Sequence, residues 1–287
     1  MTAPEPTAEA PAKRGLGSTA LRLLTAAPLV PLVIWMLFSA PPLVFQLFGV
    51  VWIAICASEL MAMTLPESRG ARIWGLVATL GLAAVNMFGE TLQLDARLLP
   101  SVLLLVVNGA LVAGLGASDH VEGAAHRIAW LLGGPLYVGA TLSTLAMLHG
   151  EAHGGAWVLF SMFLAFLSDT GAYFAGKTFG RRKLAPTISP KKTVEGSLGG
   201  LATATLGALV LGATLLDGVV PLWQLALLAP MAAALGQAGD LLESLIKRSC
   251  NVKDSGNVLP GHGGLLDRSD ALMFTGPTTW LFVIWLT

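Results

Sequence analysis

Apolar runs about twenty residues long follow one another along almost the whole chain, and this repetition limits the fold more than any other feature. A helix of about 20 residues crosses the hydrocarbon core of a bilayer, and inside it every backbone polar group must find an internal partner. Charge is correspondingly scarce. Asp, Glu, Lys and Arg make up 12% of the residues, about half of what a soluble domain carries. The expected fold class is therefore all-α: a polytopic integral membrane protein with about nine spans, at 21–40, 43–63, 72–88, 98–117, 128–148, 155–177, 195–216, 220–246 and 266–286. The Ala/Pro/Glu-rich residues 1–20 have no apolar face and predict a disordered tail. Residues 21–150 then form an N-terminal set of membrane helices, and 151–287 a C-terminal region that carries most of the polar chemistry. Net charge is zero, which gives no reason to expect a nucleic-acid partner. Cys56 and Cys250 lie in unlike surroundings and predict two free thiols.

The basic residues orient the bundle. With nine spans, sixteen of the seventeen Lys and Arg side chains fall on the side of the N-terminus, and only Arg97 falls on the other. Positive charge stays inside, so the N-terminus is expected in the cytoplasm. The acidic residues in or beside spans cluster at the same depth. They are Glu59 in the second span, Asp169 in the sixth, Asp240 and Glu243 at the end of the eighth, and Asp267 and Asp270 at the start of the ninth. Carboxylates and cations from several helices therefore meet in a polar cavity open to the cytoplasm. A transporter for an anionic solute would need charge in both halves of the membrane, and the outer half has almost none.

Three polar clusters could do chemistry. Ser168–Lys183 leaves the sixth span. Ile188–Gly200 enters the seventh, where Lys191 and Lys192 precede a helix N-terminus whose unpaired N–H groups would suit a phosphate. The Gly-rich run from Gly196 to Ala213 is expected to pack closely against another helix. The third cluster, Ser244–Asp270, puts four basic side chains, three aspartates and a histidine into 27 residues between two membrane-length runs. Such a concentration is costly unless it is used. Asp240, Asp267 and Asp270, joined by a Gly-rich loop, supply the oxygen ligands that Mg²⁺ prefers. The loop glycines would let backbone approach a phosphate.

The pattern Ser244, Ile246, Lys247, Arg248, Lys253, Asp254, Gly256, Pro260, Gly261, His262, Gly263, Gly264, Asp267, Arg268 and Asp270 resembles the signature of phosphatidate cytidylyltransferases, also called CDP-diacylglycerol synthases. The likeness extends back through Ser168-Asp169 and the run Ser189–Gly196. One departure is Ser269, where the family usually has a larger apolar residue; it removes no charge. The resemblance implies transfer of CMP from CTP to phosphatidic acid, giving CDP-diacylglycerol and pyrophosphate. Lys247, Arg248, Lys253, Asp254, His262 and Arg268 would be catalytic. Ser168, Asp169, Ser189, Lys191, Lys192, Thr193, Glu195 and Ser244 would bind substrate, and Asp240, Asp267 and Asp270 would hold Mg²⁺. A second, monovalent cation is left open. The same resemblance implies a homodimer embedded in membrane lipid, in the inner or plasma membrane, with its active site facing the cytoplasm.

Overall fold

The computed structural model describes residues 30–115, 122–258 and 263–287. The expected tail at 1–20, half of the expected first span, and Pro260, Gly261 and His262 lie outside them. Helix α1 covers 30–38, and α2 (Pro42–Thr64) starts after Pro41 with a second proline at its first position, where a missing N–H costs nothing. Next come α3 (Arg69–Phe88), whose Ser68 side chain accepts the Ala71 N–H, and α4 (Leu98–Leu115). Helix α5 (Ala124–Gly150) widens into a π-helical stretch at Pro135–Ala140. Pro135 has no N–H to give the preceding turn, and the Thr141 hydroxyl bonds back to the Tyr137 carbonyl within the same stretch.

Helices α6 (Gly154–Phe179), α7 (Val194–Leu215), α8 (Leu222–Ser249) and α9 (Leu272–Leu286) complete the bundle. Seven helices among the described residues, α2 through α8, are long and apolar enough to cross a membrane. The described part of α1 and the 15-residue α9 are shorter.

Two details differ from the sequence reading. Between α6 and α7, strands β1 (Lys183–Ala185) and β2 (Ser189–Thr193) form an antiparallel hairpin, pairing Lys183 with Thr193 and Ala185 with Ser189. Pro186 and Pro190 deny this segment a helix, and a two-stranded ribbon tolerates a proline on its edge. Asp267 and Asp270 also do not sit in the first turn of the last helix. Leu266–Arg268 is a separate 3₁₀ turn, and α9 starts at Leu272.

The buried cluster runs from Met36 to Val283, so the first and last helices share one core. Within it Trp157 packs edge-on to Phe160 and tilts against Phe282. Lipid is as apolar as the side chains it meets, so helix association in a membrane rests on close packing and interhelical hydrogen bonds. Both are present. Ser161 bonds Thr275, Asn86 bonds Ser143, and Gln46 reaches the Met87 carbonyl at 2.8 Å. The expected close approach of the Gly-rich helix is made against α6. A Cβ on Gly200 would lie 2.5 Å from the Ser168 carbonyl oxygen and 2.8 Å from Gln237, and one on Gly171 would lie 2.3 Å from Thr203 Oγ1.

Gly200→Ala should therefore force α6 and α7 apart. The expected cost is ~1–3 kcal/mol, read as a fall of several degrees in the unfolding midpoint of the detergent-solubilised protein. Gly81→Ala, where a Cβ meets nothing within 4 Å, should leave the midpoint unchanged or slightly raised.

Candidate active site

The end of α6, the hairpin, the start of α7 and the last turns of α8 meet at one end of the bundle and enclose a cavity of about 390 Å³. Asp169, Ala172, Tyr173 and Gly176 share one face of α6, at helical spacing, and all four line it. From α8 come Gln237 and Asp240, one turn apart. The hairpin brings in Lys191 and Lys192, and Lys192 pairs with Asp240. Thr193 ends β2 and caps α7, its hydroxyl accepting the Gly196 N–H at 3.1 Å.

Gln237 ties the three helices together. Its amide donates to Ser168 Oγ at 2.9 Å and to the Ser197 carbonyl at 3.1 Å, and its carbonyl accepts from the Ser197 hydroxyl. Ser168, expected to touch substrate, is buried in this network. Glu195 is also engaged elsewhere. Its Oε2 accepts the Arg181 and Arg182 N–H groups at 2.9 and 3.1 Å, and its Oε1 accepts Arg182 Nε at 3.1 Å. That clasp joins the first turn of α7 to the exit of α6 and holds the hairpin by its base. Ser189 sits in β2 opposite Ala185, and Ser244 is half-buried on α8.

A second set of contacts organises the segment that follows α8. Lys247, nearly buried in its last turn, donates to Glu243 Oε2 at 2.6 Å and to Asp267 Oδ1 at 2.5 Å. The other oxygen of Glu243 is buried without a hydrogen-bond partner. Asp267 Oδ2 accepts the N–H groups of Ser255 and Gly264, both at 3.0 Å, which closes the base of the Gly-rich loop. Burial works against ionisation of Asp267, but the Lys247 ammonium and the Ser255 N–H hold its carboxyl below the usual range. Asp270 is in the opposite situation. Burial, and after it the facing Asp240 carboxylate, push Asp270 up to about 7, with Asp169 adding to the repulsion.

The carboxylates whose charges act on one another are thus Asp169, Asp240 and Asp270, the first two lining the cavity, while Asp267 turns away to Lys247. Among the described residues no three His, Cys, Asp or Glu side chains converge tightly enough to form a ready-made metal cage. Arg248, Lys253, Asp254 and Arg268 are exposed around the loop, and Arg248 Nη1 donates to the Val252 carbonyl.

Sequence reasoning placed Glu59 only among the carboxylates of the polar cavity and gave Gln237 and Ser197 no role of their own. Glu59 accepts bonds from Leu265 and Leu266, and Gly256 and Gly264 are both pressed against its carboxylate: a Cβ would lie 2.3 Å from it at Gly256 and 2.7 Å at Gly264. These two glycines accommodate a protein carboxylate, where the sequence suggested a phosphate. The signal for Glu59 was a carboxylate inside an apolar helix.

Residues 20–286 match the model of a family described as the cytidylyltransferase family. The chain is 34% identical to the phosphatidate cytidylyltransferase of Staphylococcus saprophyticus over 241 residues, covering 82% of this chain and 88% of the relative. The enzyme of that name from Staphylococcus aureus (strain COL) is 30% identical over 264 residues, 90% of this chain and 96% of the relative. That of Bacillus subtilis (strain 168) is 43% identical over 127 residues, 44% of this chain and 47% of the relative. The chain belongs to the cytidylyltransferase family.

Lys247→Met would leave Glu243 and Asp267 facing each other without a cation. Breaking a buried pair in this way costs ~3–5 kcal/mol, so the variant should unfold at a markedly lower temperature in detergent. Adding Glu243→Gln should restore part of the loss. Arg248→Met, at an exposed site, should stay within ~0.5 kcal/mol of the parent.

Proposed function

We propose that this member of the cytidylyltransferase family transfers CMP from CTP to phosphatidic acid, yielding CDP-diacylglycerol and pyrophosphate, at the cavity between α6, α7 and α8. One observation carries the reading. Lys191 and Lys192 stand beside the capped N-terminus of α7 and share a cavity with Asp169 and Asp240. Cations at a helix N-terminus suit phosphates, and the carboxylates beside them suit a divalent metal.

In the reaction a phosphate oxygen of the lipid attacks the α-phosphorus of CTP. The new P–O bond forms as the bond to the β-phosphate oxygen breaks, and pyrophosphate departs with that electron pair. A phosphate monoester is already largely ionised near neutral pH, so no side chain has to act as a strong base. What remains is positioning and neutralisation of developing charge. Lys191 and Lys192 supply the latter inside the cavity, while Arg248, Lys253 and Arg268 extend the positive surface around the loop. The Gln237 network and the Glu195 clasp hold the cavity walls in register.

Mg²⁺ suits this donor set. It accepts oxygen ligands and usually takes only one or two carboxylates, completing its shell with water and substrate phosphate. Asp240, with Asp169 in the same cavity and Asp270 half-buried beside α8, would hold it. Asp267, expected as a third ligand, is engaged by Lys247 and two peptide N–H groups. When bound, the ion would supply charge neutralisation at the attacked phosphorus and the departing pyrophosphate.

This end of the bundle is assigned to the cytoplasm on the distribution of Lys and Arg, with α1 and α9 added to the seven longer helices as terminal spans. The membrane is then the inner or plasma membrane, and the homodimer is carried over from the family resemblance alone.

Purified protein given phosphatidic acid, Mg²⁺ and CTP labelled in the base should yield a lipid-extractable labelled product and release pyrophosphate. Absence of that product with an active preparation of a relative run alongside would overturn the reading. Asp240→Asn and Asp270→Asn should each lower the rate at least ~10²-fold, as expected when a group that stabilises transition-state charge is removed. Near-normal turnover in both would remove these residues from the metal site.

A further inference from the structure

The N-terminal half contributes one element to the active-site segment. Trp52, Cys56 and Glu59 are spaced four and three residues apart on α2, so they lie on one helix face, and that face meets Ser255, Leu265, Leu266 and Ser269. Glu59 is 6% exposed. Its Oε1 accepts the Leu265 N–H at 3.1 Å, and its Oε2 accepts the Leu266 N–H at 2.8 Å and the Ser255 hydroxyl at 3.2 Å. These three donors are neutral, and they come from both arms of the Gly-rich loop.

Two turns earlier on α2, Trp52 Nε1 donates to Ser269 Oγ at 2.7 Å, and that hydroxyl donates to the Leu265 carbonyl at 2.9 Å. Ser269 is fully buried. The position where the sequence departs from the family's larger apolar residue is thus filled by contacts from α2, with Cys56 Sγ 3.6 Å away. The turn Leu266–Arg268 is consequently held at its first N–H groups by Glu59 and just beyond its end by Trp52.

That turn sets the position of two aspartates, Asp267 within it and Asp270 just beyond it. Asp267 points to Lys247, and the backbone of Asp270 packs against Gly239 of α8, next to Asp240. A shift of the turn by an ångström would move both, and displacements of that size cost active sites large factors in rate. A carboxylate buried in a membrane helix is expensive, so its presence calls for a function. The loop also conforms to it, since Gly256 and Gly264 have no room for a Cβ beside the carboxylate.

We propose that Glu59 is a positioning residue. Without touching substrate, it anchors the base of the active-site loop to α2 and so sets where Asp267 and Asp270 stand. The role is stated for the cytidylyl transfer assigned above and rests on that reading. Substitution by Gln keeps the shape but replaces one acceptor oxygen by an N–H₂ group, which would face a peptide N–H or the Ser255 hydroxyl.

The test uses the full chain, purified in detergent with phosphatidic acid. In Glu59→Gln, kcat should fall at least ~10-fold while KM for CTP changes less than ~3-fold, since binding groups are untouched and aim is lost. Amide hydrogen exchange over 263–270 should accelerate, with 194–204 on α7 unchanged. A kcat within twofold of the parent would overturn the proposal, as would a fall in kcat with unchanged exchange over 263–270. If Glu59→Gln does not fold, Ser255→Ala decides: it should lower kcat and accelerate the same amides, and parental behaviour on both counts would overturn the role. If the parent itself makes no CDP-diacylglycerol, the reading of function fails, and the exchange measurement alone judges the anchor.

Discussion

The Lys247 ammonium, held between Glu243 and Asp267, is the contact on which the polar end of the bundle depends. It joins the last turn of α8 to the turn that precedes α9, so residues twenty apart in sequence share one proton-rich centre. Asp267 then passes the restraint on, because its second oxygen gathers the N–H groups of Ser255 and Gly264 from opposite arms of the loop. In water such a loop could satisfy its backbone with solvent. At the edge of a bilayer it needs internal acceptors, and a carboxylate with two lone-pair-bearing oxygens can serve several donors at once.

The α6–α7 seam meets a different requirement. Glycines let the two backbones approach, and the close approach brings Ser168 and Ser197 within reach of a single glutamine on α8. Gly171 packs α6 closely against Thr203 of α7, while Asp169 and Tyr173, two residues to either side of it, line the cavity. Tight packing and an open polar pocket are therefore produced by neighbouring residues of one helix. Residues too small to fill the space sit beside residues that line it.

Much of this was legible in the sequence. Run lengths gave helices, and small residues from Gly196 onward gave a close helix contact that α6 supplies. The depth of the charged residues put Lys192 and Asp240 at one end of the bundle, where they pair. What was not legible is direction. Asp267 and Asp270 are one turn apart in a pattern that reads as helix, yet the 3₁₀ turn and its anchors send them to different partners. Glu195 looked like a phosphate-site residue by its position at a helix start, and it instead clasps backbone N–H groups thirteen and fourteen residues back. Gln237 lay in an apolar helix outside the signature, and only the crossing of three helices reveals its bonds. Sequence spacing reports which residues share a face; it does not report which of two nearby donors a carboxylate will take.

The bonding pattern divides the acidic residues into two groups by what faces them. Glu59, Glu195 and Asp267 each accept two or more donors from backbone or neighbouring side chains, so their charge is used in holding loops and helix ends. Asp169 and Asp240 line the cavity, with Lys192 as the cation paired to Asp240, and Asp270 is half-buried beside α8, where its backbone packs against Gly239. Like charges sharing one pocket are unfavourable in the protein alone, and the unfavourable term would fall with the proposed cation and its phosphates bound. The anchoring carboxylates make that arrangement possible, since without them the turn before α9 could relax and let Asp270 move away from Asp240. The metal–phosphate site proposed above would thus need a second set of acids that does not meet the substrate, and one of that set, Glu59, comes from the half of the chain that lacks the signature.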